Sequence, residues 1–342
     1  MNENEGVHVM ESRNCLLCES EGSLLYTGLR DRLFGAPGIW TLMKCPRCQL
    51  VWLNPQPIPD DVGKLYANYF THQTFDAKKS SLAGIRKSVK ESILRSSYGY
   101  QIDGSNKVMG SVLSIIGPLR EIVGSSVRWL EAGENKRLLD VGCGNGRFLD
   151  QMRQLGWKVA GIEPDGEAVS VAREKFDLDV LLGSLVEARF ADGHFDAITM
   201  NHVIEHVSDP IELLKECRRV LKPGGKLVVV TPNINSMGYH VFGEYWRGLE
   251  VPRHLTLFSP QALRSCAKSA GMDVQDLRTM AKSAPWMWAA SSLIRRNAVL
   301  PGGSPEKIGA SLRLQGLGFM AREHGLFGPR WAGEEIVMVA GR

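Results

Sequence analysis

The stretch Leu138 to Leu149, LLDVGCGNGRFL, constrains the fold more than any other part of the chain. A short apolar run leads into three glycines at alternate positions and then into helical periodicity. Such a segment reads as strand, tight turn, helix, with the amino end of the helix facing whatever lies above the turn. The pattern then repeats. Strands are expected at Arg137 to Val141, Lys158 to Ile162, Leu178 to Leu182, Phe195 to Met200 and Lys226 to Thr231. Helices are expected at Arg147 to Leu155, Asp165 to Phe176 and Pro210 to Leu221, with Lys222-Pro223-Gly224-Gly225 breaking the last. Strands alternating with helices of this length specify βαβ units and a mostly parallel sheet, an α/β fold of Rossmann-like type. Ligands of such sheets bind beyond the carboxyl ends of the strands, where strand order reverses.

The turn also limits the ligand. Gly142, Gly144 and Gly146 follow a G-x-G-x-G spacing, whereas a dinucleotide fingerprint needs a third glycine at position 147, which is Arg147. Pyrophosphate binding is disfavoured. Glu163, 21 residues after Gly142, ends the second strand, where a carboxylate can accept from both hydroxyls of a ribose. Asp140 adds an acid at the tip of the first strand, suited to a ligand's ammonium group. The site reads as one for a nucleoside without a pyrophosphate.

The flanks carry other signals. Cys15 and Cys18 form one C-x-x-C and Cys45 and Cys48 a second, with 26 residues between the two pairs. Four thiolates so spaced can close a tetrahedral, structural zinc site. Residues 9–58 therefore read as a zinc-ribbon-like module, with short strands around Ser23 to Thr27, Gly38 to Met43 and Leu50 to Leu53. Residues 59–130 read as a helical connector: a helix from about Asp60 to Tyr69, an exposed basic stretch over 76–105, and a helix pair over Val108 to Leu130. Residues 131–283 are expected to form the core, 284–331 a helical insertion, and 332–342 its final strand. The insertion has two readings: an interfacial helix reaching a lipid-linked acceptor at a membrane, or a cap or homodimer contact. A net charge of +4 is too mild to argue for nucleic acid. No secretory signal and no apolar run of spanning length is seen, so the expectation is a cytoplasmic protein, either free or peripheral at the inner face of the membrane.

The motifs LLDVGCGNGRFL, GIEPD, FDAITMNHVIEHVSDP and VLKPGGKLVVVTPN, in this order, resemble those of class I S-adenosylmethionine-dependent methyltransferases. GEEIVMVAGR resembles that fold's last, antiparallel strand. CPRCQLVWLNPQP is similar to the zinc-binding front end of a bacterial subgroup whose catalytic domain is related to ubiquinone O-methyltransferases and sugar methyltransferases. The resemblance implies that Asp140, Gly142, Cys143, Gly144, Asn145 and Gly146 surround the methionine part of S-adenosylmethionine. Glu163, with Pro164, would hold the ribose. Ser184 and Leu185 would border the adenine, and Asn201 and His202 would face cofactor and acceptor. Where some members carry an acid near 184, this chain has Ser184. HVIEH, at 202–206, matches a zinc-peptidase pattern, but it follows a strand rather than lying in a long helix, and no third ligand motif accompanies it. Methyltransferases that bind a divalent cation here carry E-x-x-E-H, and His202 replaces the first Glu.

The implied reaction is methyl transfer by in-line displacement to a small-molecule, sugar or lipid-linked acceptor, with oxygen favoured. His202, His206 and His254 are the candidate bases. Trp246 and Arg253 are candidates to shape or charge the acceptor pocket. A nicotinamide-dependent oxidoreductase and a non-catalytic zinc-ribbon binding protein on the same fold are the alternatives.

Overall fold

A computed structural model describes residues 2–66, 83–300, 309–322 and 331–342. Strands β1 (Asn2–Asn4), β2 (Val7–Met10), β3 (Ser23–Leu29), β4 (Trp40–Lys44), β5 (Val51–Leu53) and β6 (Gln56–Pro57) come first. Helices α1 (Ala83–Tyr98), α2 (Lys107–Leu113) and α3 (Gly117–Ser125) follow. The alternating region then runs β7 (Arg137–Val141), α4 (Arg147–Gln154), β8 (Lys158–Glu163), α5 (Gly166–Phe176), β9 (Val180–Leu182), β10 (Phe195–Asn201), α6 (Pro210–Val220) and β11 (Leu221–Pro232). Last come α7 (Met237–Phe242), β12 (Thr256–Leu257), α8 (Pro260–Ser269), β13 (Asp273–Met280), α9 (Ala284–Asn297), α10 (Ala310–Ala321) and β14 (Glu335–Gly341).

The expected α/β architecture is present. Seven strands form one sheet in the order β13-β14-β11-β10-β7-β8-β9. β7 pairs parallel with both β8 and β10, β8 pairs parallel with β9, and β14 runs antiparallel to β13. β7 is paired on both edges, and Leu138 and Leu139 are fully buried, as a near-continuous apolar run requires. The chain moves outward from β7 to β9 and then returns to the other side of β7 as β10. Strand order therefore reverses beside the turn that follows β7.

Several boundaries differ from expectation: the helix expected from Asp60 is a 3-10 helix over Pro59–Tyr66, β9 starts at Val180, and the largest change follows α6. β11 begins at Leu221 and takes in Lys222-Pro223-Gly224-Gly225. Pro223 stops α6, because a proline ring cannot sit inside a helix. It does not stop the strand from starting there.

The chain divides into two compact units. Met1–Phe70, Asn201–Arg218 and Val229–Gly341 make the first, and Thr71–Met200 and Arg219–Val228 make the second. In the first unit, β12-β5-β4-β3 form a four-stranded sheet and β1-β2-β6 a three-stranded one. Thr256 and Leu257 pair with Trp52 and Val51, so an element 200 residues downstream completes the sheet begun around the cysteines. Trp40, Leu42, Leu53, Leu65, Leu255 and Leu257 share its core. In α9, Met287, Ala289, Ala290 and Ile294 are buried, and Ile294 packs with Leu33 and Leu300. The apolar face of that helix is thus used within its own unit. Residues 301–308 and 323–330 of the expected insertion, and 67–82 of the expected connector, lie outside the described residues. No single described helix is long and apolar enough to cross a membrane.

Candidate functional site

In the second unit, the chain leaves β7 through Gly142, Gly144 and Gly146, with φ of +70°, +53° and +80°. L-side chains avoid this region. At Gly146 packing adds a second demand, since a Cβ there would stand 2.6 Å from Leu178 Cδ1 and 2.9 Å from Ala172 Cβ. Nothing lies within 4 Å of a Cβ placed on Gly144, so at this point the backbone borders open space. The N–H groups of Gly142 and Cys143 donate to the Ile162 carbonyl at 2.8 and 3.1 Å, tying the turn to the end of β8.

Glu163 closes this arrangement. Its Oε2 accepts the Gly144 N–H at 2.7 Å and its Oε1 the Asp165 N–H at 3.1 Å. Each oxygen accepts one backbone bond and retains a lone pair. Burial pushes this carboxyl above the usual range, against the pull of those two N–H groups. Asp140 is buried on β7 opposite Thr199 of β10, whose Oγ1 donates to Asp140 Oδ1 at 2.6 Å. Burial pushes the Asp140 carboxyl up to about 7. Two buried acids beside an open glycine turn, each held in a place that disfavours its charge, make this a candidate ligand site. The remaining expected residues take lesser places. The Cys143 side chain packs with Leu149 and Val169 and leaves only its backbone to the turn. Asn145 Oδ1 accepts the Arg147 N–H at 3.4 Å at the start of α4, Pro164 is exposed, and Leu185 is buried. Ser184 donates its N–H and hydroxyl to Glu187 Oε2 at 2.8 and 2.7 Å. The Glu187 carboxylate thus folds back onto position 184.

In the first unit, the HVIEH segment is no peptidase helix. Asn201 ends β10, His202 sits at φ +55°, and Ile204–His206 form a single 3-10 turn. The His202 Nδ1 lies 3.2 Å from Glu205 Oε1 and its Nε2 lies 3.0 Å from Glu335 Oε1. Burial alone would lower the pKa of this ring, but the two carboxylates outweigh it and push it up to about 10. A doubly engaged imidazolium has no lone pair with which to take a proton. Glu205 is fully buried, and its Oε2 accepts the Thr231 hydroxyl at 2.9 Å. Burial opposes its charge, yet His202 holds it well below the usual carboxylate range.

The other two histidines differ from His202. His206 Nδ1 lies 3.0 Å from the Arg253 carbonyl and 2.9 Å from the Tyr66 hydroxyl. His254 Nδ1 lies 2.8 Å from the Gly248 carbonyl. A carbonyl only accepts, so Nδ1 carries the hydrogen in both rings and Nε2 keeps the lone pair. Burial, with His206 beside it, pushes His254 down to about 4 and keeps it neutral. The two rings meet edge to face at 4.7 Å. Glu205 and these two rings bring one ligand atom each to within 4.8 Å of one another. Such a group can share a proton, and two imidazoles with one carboxylate also suit a transition-metal ion. Sequence reasoning named both histidines. It met Glu205 only inside the HVIEH pattern, without a role, and it missed Tyr66, Glu335 and Thr199, because no local pattern connects these three to the histidines or to Asp140.

Two residues expected to shape the acceptor pocket are engaged inside the first unit. The Trp246 Nε1 donates to Glu334 Oε2 at 2.8 Å. Arg253 donates from Nη1 and Nη2 to the two Asp31 oxygens at 2.6 and 3.0 Å, and from Nε to Glu250 Oε1 at 3.2 Å. Both ends of the Arg253–Asp31 pair are fully shielded from solvent.

The four cysteines of the paired motifs converge. Cys15 Sγ lies 3.4 Å from Cys48 Sγ, Cys18 Sγ lies 3.4 Å from Cys45 Sγ and 4.0 Å from Cys48 Sγ. A tetrahedron with Zn–S bonds of about 2.3 Å sets its sulfurs about 3.8 Å apart, so this cluster is compatible with zinc. The N–H groups of Leu17 and Cys48 point at the sulfurs of Cys15 and Cys45 at 3.4 Å, as they do when thiolates need support.

A family model described as a methyltransferase domain matches residues 123–277. The chain is 33% identical over 179 residues to a ubiquinone biosynthesis O-methyltransferase of Thiobacillus denitrificans, covering 48% of this chain and 77% of that protein. The enzyme of the same name from Pseudomonas aeruginosa is 31% identical over 175 residues, 47% of this chain and 75% of the relative. A solved SAM-dependent methyltransferase from Archaeoglobus fulgidus is 20% identical, covers 69% of this chain and 96% of that one, and gives a TM-score of 0.43. The two ubiquinone biosynthesis O-methyltransferases, each covered by three quarters or more, with the matching family model, place the chain in the class I S-adenosylmethionine-dependent methyltransferases. It is therefore a methyl-transferring enzyme, and the oxidoreductase and non-catalytic alternatives fall away.

Proposed function

We propose that the enzyme methylates a hydroxyl oxygen of a small-molecule, sugar or lipid-linked acceptor. Oxygen is favoured because relatives that the chain covers by three quarters or more are named O-methyltransferases. Bound S-adenosylmethionine supplies an electrophilic sulfonium methyl, and the chain supplies position and a proton acceptor. The fit to the cofactor rests on two observations: open space beside Gly144, and one lone pair left on each Glu163 oxygen. In this reading Glu163 takes the ribose hydroxyls, Asp140 and the turn from Gly142 to Gly146 hold the methionine part, and Ser184 and Leu185 border the adenine. Asn201 lies at the end of β10 on the cofactor and acceptor side. The clustered cysteines hold a structural zinc that braces residues 9–58. Residues 131–283 and 332–342 form the catalytic domain, 59–130 connects to it, and 284–331 covers or contacts it.

His206 is the residue we assign to the acceptor's proton. The observation that carries this is its fixed tautomer: Nδ1–H points at the Arg253 carbonyl, so Nε2 is free to accept. His254 is neutral and buried beside it and holds the ring in place. His202 is a cation that joins Glu205 to Glu335, a positioning residue rather than a base. The test is His206→Gln, assayed with radiolabelled S-adenosylmethionine and an extract partitioned into organic and aqueous phases. Turnover should fall about 100-fold or more, with affinity for S-adenosylhomocysteine unchanged. Unchanged turnover would remove His206 from this role. The phase that carries the label separates a lipid-linked acceptor from a polar one.

A further inference from the structure

The corner between α2 and α3, in the second unit, is built with its polarity reversed. The side of α2 that meets α1 is made of small and polar residues. A Cβ on Gly110 would stand well inside contact distance of the Ser92 carbonyl oxygen, so the two helices touch through backbone. The Ser114 hydroxyl lies 2.7 Å from that of Ser97 and 2.7 Å from the Gly110 carbonyl, and the Ser92 hydroxyl accepts the Asn106 N–H at 3.0 Å. The large aliphatic side chains are turned the other way. Val108 is 75% exposed, Val112 60%, Ile115 83% and Ile116 53%. Val108 and Val112 lie one turn apart on the same helical face, and Ile115 and Ile116 form the corner itself. Four of the fifteen exposed large hydrophobics of the described chain thus fall within nine residues, too tight a cluster for the scattered exposure of an ordinary surface.

Charge says what covers this crest. No acidic residue lies between Asp103 and Glu121, and Lys107 and Arg120 flank the aliphatics. Residues 83–120 hold six Lys or Arg (Arg86, Lys87, Lys90, Arg95, Lys107, Arg120) and two acids (Glu91, Asp103), a net +4. The whole chain is also +4, so the rest sums to zero. Taken together, α2 and α3 have the length and apolarity of a spanning segment, but they bend by 116°. A segment bent that sharply presents its corner instead of crossing.

We propose that the α2–α3 corner seats in the interfacial layer of an anionic lipid bilayer. Ile115 and Ile116 enter the boundary between headgroups and acyl chains, Val108 and Val112 follow, and the flanking Lys107 and Arg120 meet the lipid phosphates. The inference stands apart from the acceptor's identity. The corner lies outside 284–331, in which α9 buries Met287, Ala289, Ala290 and Ile294.

The test is co-sedimentation of the full chain with vesicles of phosphatidylcholine alone or of phosphatidylcholine with phosphatidylglycerol. The protein should pellet with the anionic vesicles, much less with the neutral ones, and less as salt is raised. Ile115→Ser with Ile116→Ser should cut the bound fraction about tenfold while S-adenosylhomocysteine affinity stays the same, which shows the variant folded. Equal pelleting of the double variant, or no pelleting of the unaltered chain, overturns the proposal. So does a dimer by light scattering that the double variant converts to monomer without any vesicle binding, because a second copy would then own the crest.

Discussion

The two units treat their buried carboxylates in opposite ways. In the second unit, Asp140 accepts a hydroxyl and Glu163 two backbone N–H groups, and among the described residues neither forms an ion pair. Burial drives both upward in pKa. In the first unit, Asp31, Glu205 and Glu250 are buried against Arg253, His202 and Arg247, and all three are held below the usual range despite burial. One set is satisfied by the chain itself and serves as structure. In the other, Thr199 and Arg128 pull the Asp140 carboxyl down less than burial pushes it up, and each Glu163 oxygen keeps a lone pair, so a ligand bearing an ammonium group and ribose hydroxyls would add to what the chain supplies. Burial alone does not distinguish a site from a strut, whereas the balance between burial and partners does.

The largest expected effect breaks the saturated set. Arg253→Ala leaves Asp31 and Glu250 buried without their shared guanidinium, and should destabilise the protein by about 3–5 kcal/mol in urea denaturation. A change below 1 kcal/mol would mean that water reaches the carboxylates and the pair is ornamental. The next effect concerns the unsaturated set. Folded Asp140 keeps its proton to about pH 7, while the unfolded residue loses it near 3.9. The folded chain thus binds the extra proton between these values. Stability of the ligand-free protein should be greatest below about pH 4 from this group, fall as pH rises to 7, and level off above. The span is on the order of 2–4 kcal/mol. Asp140→Asn should flatten that slope in denaturation curves taken from pH 5 to 8, and an unaltered slope would assign it to another group. The smallest effect sharpens the contrast. Glu163→Ala should weaken S-adenosylhomocysteine binding by about tenfold or more, roughly 1.4 kcal/mol, with ligand-free stability unchanged or raised. Full affinity by calorimetry would take the ribose contact away from Glu163.

The glycine turn and the alternation of strands and helices were readable directly. Both are local: a positive φ selects glycine at one position, and apolar periodicity reports on one element at a time. Glu163 was readable for the same reason, because the βαβ connection sets its distance from the turn. The cysteine pairs were readable because C-x-x-C spacing is itself a short turn. What surrounds these residues was not readable. The Ser184 to Glu187 contact shows the limit even at short range, since nothing in the string says which way the Glu187 carboxylate folds back.

By itself, then, the sequence determined the sheet's elements, the glycine turn, the acid at the end of β8 and the two cysteine pairs. Only the tertiary structure decided that Thr199 lies opposite Asp140, a matter of register between β7 and β10. It decided that His202 meets Glu335, 133 residues away, and that Arg253 meets Asp31 across 222. It turned the aliphatic face of α2 outward and brought β12 to the edge of β5. The physical reason is range. Backbone torsion and periodicity are fixed within one turn or one strand, whereas the protonation of a buried group depends on which charge the finished packing sets beside it.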